Sequence, residues 1–163
     1  MARITPDGYT KVHFVTTLSS LTSPTLVQIA AGTELTSYLT PAGIDTPEEG
    51  TDADSSSIAS PRDFSIPATI GGDFSAEFYR DDATGSGTDA AWNALPRLTT
   101  GWLVIARFGG STDETHAIQA GDSVEVWPCR VSQRSNSRIT RGEALRFTTT
   151  FAISADMVTG TVV

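Results

Sequence analysis

The chain has 163 residues, 39% of them apolar, with one cysteine, two histidines and a formal net charge of −8. That length suits one domain able to bury roughly 70% of its unfolded surface. A single cysteine excludes an internal disulfide, the histidines are too few for a Cys/His metal cluster, and the longest apolar run, residues 102–106, is too short to cross a bilayer. Residues 1–6 place no apolar run behind Arg3, so no signal peptide is expected, and the protein reads as made in the cytoplasm and soluble.

The acidity is unevenly spread. Residues 1–40 are balanced, residues 41–91 carry eleven acids against Arg62 and Arg80, and residues 92–163 carry six acids against seven arginines. No uniform basic stripe for gripping nucleic acid results. Acid in one half and arginine in the other suit unlike regions that meet, including between subunits.

Residues 11–18 form a first strand candidate with imperfect alternation. Leu26, Ile29 and Ala31 read as a short apolar strand stopped at Gly32, and Leu35, Tyr38 and Leu39 restart the pattern until Pro41 and Gly43 end it. Residues 41–61 are polar and acidic, an extended loop without a core of its own. Residues 63–68 suit a strand. Residues 73–80 suit one better, with Phe74, Ala76 and Phe78 on one face and Asp73, Ser75, Glu77 and Tyr79 on the other.

Glycines 85 and 87 mark a loop, after which Thr88 is placed to cap a helix over 88–95 with Asp89 in its first turn. Pro96 keeps that helix short, and no other helix is expected. Residues 102–108, 123–132, 145–154 and 157–163 complete the strands, with 133–142 as a polar basic hairpin loop. The fold class that follows is mainly β: two packed antiparallel sheets, a β-sandwich or barrel, with one short flanking α-helix and a long extended loop in a single domain over 1–163.

Chemistry is sparse. Asp52, Asp54 and their serines alternate oxygens as calcium loops do, but Ser57 and Asp63 stand where an EF-type loop needs Gly and Glu. Asp73, Glu77, Asp81 and Asp82 supply carboxylates without an aromatic sugar platform, and neither histidine has a nucleophile motif beside it. Cys129, in an apolar strand, reads as a small buried hydrophobe. No catalysis, cofactor or metal is expected.

The order of features carries more than any one of them. Leu26-Val-Gln-Ile-Ala-Ala-Gly-Thr-Glu-Leu35 leads through Tyr38-Leu and the acidic loop to the strand ending in Tyr79-Arg-Asp-Asp82. Asp89-Ala-Ala-Trp-Asn-Ala-Leu95, Gly101-Trp-Leu-Val-Ile-Ala-Arg107, Gly121-Asp-Ser-Val-Glu-Val-Trp-Pro128 and the strand over 147–154 follow. Across residues 25–158 this order resembles that of bacteriophage major tail proteins, the subunits of tail tubes. The resemblance implies two packed sheets with a flanking helix, and hexameric rings stacked into the tube through which the genome passes; the type VI secretion tube shares that architecture. It also implies residence in the virion tail, self-association, tape-measure and tail-terminator partners, and genomic DNA that passes without specific binding or any membrane contact. The alternatives are a phage β-sandwich module that recognises a receptor glycan, or a neck or tail-terminator ring protein.

Two groups of site residues follow for a tube subunit. Asp73, Ser75, Glu77 and Tyr79, joined by Thr148 and Thr150, are candidates for the lumen wall, where acids and hydroxyls would let DNA slide. Asp45, Glu48, Glu49, Asp52 and Asp54 are candidates for stacking against Arg130, Arg134, Arg138 and Arg141 of an adjoining ring.

Overall fold

The structure is a computed structural model that describes residues 10–44, 46, 49–54, 65–81, 88–107 and 117–163, with the backbone course alone for 49–54 and 65–71. In chain order the elements are β1 (Lys11–Val15), α1 (Leu26–Ala30), β2 (Thr33–Glu34), a 3-10 turn (Thr36–Tyr38), β3 (Leu39–Ile44), β4 (Glu49–Asp54) and β5 (Ser65–Gly71). Then come β6 (Asp73–Tyr79), α2 (Ala90–Ala94), β7 (Thr100–Ala106), β8 (Ser123–Asn136), β9 (Arg146–Ile153) and β10 (Val158–Thr161). Mainly β is therefore correct.

The expected pair of separate sheets is not what the hydrogen bonding builds. Eight strands join in one antiparallel sheet in the order β2-β1-β7-β8-β9-β6-β3, with β10 also on β8; among the described residues β4 and β5 pair only with each other. The reason is β8, 14 residues long. One edge of its first half takes β7, from Ile105 opposite Glu125 to Thr100 opposite Arg130. The other edge takes β10 at residues 123–126 and then β9 at residues 129–136. A strand this long pairs with β7 and β10 along its first part and with β9 along the rest, and so joins the strands in one sheet. The sheet is not closed: β2 and β3 stand at its two ends.

It curls instead. Three strand spacings separate β1 from β9, about 14 Å in a flat sheet, yet the rings of Phe14 and Phe151 lie 6.4 Å apart. The inner face so enclosed carries Val12, Phe14, Leu103, Ile105, Trp127, Cys129, Val131, Phe147, Phe151, Phe74, Ala76 and Phe78, with Leu35, Ala91 and Leu95 packed against them. Phe74 stacks on Phe151 at 4.9 Å and Phe78 on Phe147 at 5.3 Å. Cys129 is the buried hydrophobe that its context implies, and burial pushes its thiol up to about 12.

A second core lies on the opposite face of the β1–β7–β8 half: Val15, Val104, Ala106, Val124 and Val126 meet Ile29 of α1, Ile118 and Val162. Here the sequence reading needs correction, because Leu26–Ala30 is a helix and not a strand. Thr25 caps it by accepting from the Gln28 amide, and the Leu26 amide donates to the Val163 carbonyl. The expected helix near residue 90 exists, but Thr88 does not cap it. Asp89 stands at its N-cap in left-handed geometry (φ 48°), without a side-chain cap bond.

Candidate functional site

β6 meets β9 in unbroken register, with Asp73 opposite Ala152, Ser75 opposite Thr150, Glu77 opposite Thr148 and Tyr79 opposite Arg146. Directly paired residues project to the same side of a sheet. Because Phe74, Ala76 and Phe78 are buried inward, the six lumen candidates Asp73, Ser75, Glu77, Tyr79, Thr148 and Thr150 share one outward face. β8 widens it: a register shift between Val131 and Gln133 turns Gln133 and Ser135 outward, opposite Thr150 and Thr148. Ser137 donates to Glu77 Oε1 at 2.9 Å, and Arg146 pairs with Glu77 Oε2 at 3.5 Å.

The face is hydroxyl-rich and carries both signs of charge. Arg130, paired with Ala152, lies in the same cross-strand row as Asp73, and Arg146 pairs with both Glu77 and Glu143. Sequence reasoning grouped Arg130 with the stacking residues; the structure sets it beside the lumen candidates, its Nε donating to the Leu98 carbonyl.

The other arginines collect at the end of this half-sheet. Arg80 donates through Nε at 2.8 Å and through a terminal nitrogen to Asp89 Oδ2, and at 2.9 Å to Asn136. Asp89 is buried and its other oxygen accepts from the Asp81 amide. Both carboxylate oxygens of Asp89 are thus engaged, and its side chain makes no cap bond to the helix. Arg134 lies over the Trp92 ring, 3.6 Å from its centroid, and donates to the Trp92 carbonyl; Arg80 lies over the same ring at 4.0 Å. Burial and the neighbouring Arg80 charge lower the Arg134 pKa, with Asp89 opposing them. Arg138 and Arg141 are exposed in the turn between β8 and β9, next to Ile139. Of the acidic stacking candidates, Glu49, Asp52 and Asp54 lie on β4, while Asp45 and Glu48 fall outside the described residues.

A separate cavity of about 170 Å³ lies between α1 and the β1–β2 edge, lined by Lys11, His13, Glu34, Leu26, Ile29 and Ile118 among others. Burial lowers the His13 pKa, opposed by Glu34, and its Nδ1 has no hydrogen-bond partner. Among the described residues no group of three or more metal-ligating side chains forms, and no helix is long and apolar enough to cross a membrane. Trp127 is buried, Trp102 packs on the second core and Trp92 lies under the arginines, so the tryptophans do not form a shared sugar platform.

Together these features define the class: a mainly antiparallel β protein that presents extended polar surfaces and unpaired strand edges. A family model described as "Phage tail tube protein" matches residues 1–163, and the chain belongs to that family. Membership makes it a structural component of a phage tail. A search of curated proteins finds no match. Among solved structures, a chain of the "Cryo-EM structure of the anti-feeding prophage (AFP) baseplate, 6-fold symmetrised" is similar over 98% of this chain and 97% of its own. The TM-score is 0.54 at 10% identity, a likeness of fold.

Proposed function

We propose that copies of this subunit join in hexameric rings that stack into the tail tube, the conduit for DNA ejection, with the β6–β9 polar face on the lumen wall. Family membership supports the tail role, and the fold is shared with a chain of a baseplate reconstructed with 6-fold symmetry. The observation that carries the lumen assignment is the in-register run of Asp73, Ser75, Glu77 and Tyr79 beside Thr150, Thr148 and Arg146, a broad polar face with the aromatic core behind it. Duplex DNA carries a charge about every 1.7 Å of axis. A hydroxyl-lined wall without net positive charge offers those phosphates no net attraction, so the duplex slides.

Assembly also gives the open strands somewhere to go. A lone two-stranded hairpin is marginal in water, and among the described residues β4 and β5 have only each other. Across a ring interface such edges pair with a neighbour, and the acids at 45–54 meet the arginines at 134–141 of an adjoining ring. Tape-measure and tail-terminator proteins would set the length and end of the tube within the virion, and no catalytic step is assigned to the chain. Negative-stain imaging and light scattering of purified protein are expected to show rings or tubes. A strictly monomeric species at high concentration and high salt would sink the reading.

A further inference from the structure

Four arginines were singled out by sequence as contacts between copies, and the fold treats them unequally. Arg130 lies on the polar face, tied to the Leu98 carbonyl. Arg138 and Arg141 stand exposed in a turn, where long side chains lose the most freedom on binding. Arg134 is different: Trp92 supports the plane of its guanidinium and the Trp92 carbonyl holds one of its nitrogens. It is half-buried and already oriented.

It nonetheless has no ion pair of its own among the described residues. The buried acid at this end of the sheet, Asp89, feels its charge but takes two donors from Arg80 and the amide of Asp81. Of the five N–H donors of Arg134 one group finds an acceptor, the Trp92 carbonyl. A partly desolvated cation with free fork donors is what a carboxylate recognises best. Preorganisation on an aromatic ring removes much of the entropy cost of that recognition.

We propose that Arg134, held on Trp92, is the principal anchor by which one copy of the chain binds a carboxylate of a second copy. This rests on the assembly reading above. The partner is chosen by charge: the chain carries 19 acids against 11 basic residues, and eleven of the acids lie between residues 41 and 91. Arg80 and Asp89 are positioning residues here, since Arg80 takes up the Asp89 carboxylate and lies on the same ring.

The test compares the protein concentration at which rings or tubes appear, by sedimentation and light scattering, at low and high salt. Arg134→Gln is expected to raise that concentration about tenfold or more, as truncation of an interface hot spot does. Arg134→Met, which keeps a long apolar stem on Trp92, should lose assembly to the same degree with the monomer's near-UV circular dichroism unchanged. Arg134→Lys keeps the charge but not the fork, and should recover only part; Arg97→Gln should assemble as wild type. Equal assembly of wild type and Arg134→Met overturns this inference while leaving the tube reading intact. Wild type that never self-associates overturns both. Arg134 variants that assemble normally but lose retention on duplex DNA also overturn it, since the anion would then be a phosphate.

Discussion

Along β1 and β7 the face turned away from the aromatic core is buried a second time, under α1 and the C-terminal residues, whereas along β6 and β9 that face is polar and exposed or half-buried, with no second core among the described residues. β8 belongs to both regions and shows the difference within one strand. Val124 and Val126 face the second core, and after the register shift Gln133 and Ser135 face outward with Ser75, Glu77, Thr148 and Thr150. Side-chain type follows what each face meets, since apolar area gains about 25 cal/mol per Å² only where something covers it. One region is thus a sealed support and the other a presented surface. The two should respond to substitution on different scales.

The strongest way to break the comparison is at the residue that joins the regions. Phe151 is fully buried, stacks on Phe74 and reaches Phe14 across the curl. Phe151→Ala removes aromatic contacts in both regions at once and is expected to cost about 3–5 kcal/mol. Urea denaturation should show one cooperative transition at a much lower midpoint. A loss below about 1 kcal/mol would mean that the inner face is not a continuous core.

A smaller effect is expected from the covered region alone. A Cβ on Gly160 would lie 2.5 Å from the Leu21 carbonyl and 3.0 Å from that of Thr22, and the obstacles are backbone. Those residues run along the free side of β10, where the Thr161 amide donates to the Thr22 carbonyl. Gly160→Ala is expected to cost about 1–3 kcal/mol, as overpacking does. An unchanged melting temperature would show that this segment does not seal the face.

His13 sharpens the comparison through pH. Burial holds its pKa below the ordinary 6.5, so the fold favours the neutral imidazole. Its contribution is complete above pH 6.5 and is lost as pH falls from there through the lowered folded value, because the unfolded chain binds the proton more readily. The charged neighbours work in opposite senses: Glu34 raises the value and Lys11 lowers it. Wild type should therefore lose more stability than His13→Gln between neutral and mildly acidic pH. Parallel melting curves for the two proteins would show that His13 is not buried as neutral imidazole.

The same contrast explains what was legible in the sequence. The strand over 73–79 was plain because a half-covered strand must alternate, and Phe74, Ala76 and Phe78 do so against a polar face. β8 was read as ending at 132 because the shift beside Gln133 changes the phase of alternation, and the solvent-facing residues beyond it look like a loop. α1 was misread because five residues are too few to display a 3.6-residue period; Pro24 and the capping Thr25 were the available signal. The inequality among the arginines is invisible in the sequence, since it depends on Trp92 arriving beside Arg134 from 42 residues away. The single curled sheet was also hidden, because composition records strands and not the edge each one takes.

The smallest stability effect, and the most informative functional one, is expected on the polar face. Asp73 is exposed, so Asp73→Lys should change stability by no more than about 0.5 kcal/mol. Its consequence is electrostatic. The face carries Asp73, Glu77, Arg130 and Arg146, the last also paired with Glu143; the substitution moves its charge by +2 on every subunit. On the lumen assignment these charges repeat around and along the channel, within the roughly 8 Å over which physiological salt leaves charges visible to one another. A wall of that kind holds phosphate where the native wall lets it slide. Tails carrying Asp73→Lys should assemble at normal length and release DNA more slowly, with the defect relieved by added salt, measured by dye-reported ejection from purified particles. Serine and threonine changes in the same rows, such as Thr148→Val, leave the charge alone and should leave the rate unaltered. Normal ejection from normally assembled Asp73→Lys tails, or a ring structure with Asp73 on the outer wall, would place the conduit elsewhere on the subunit.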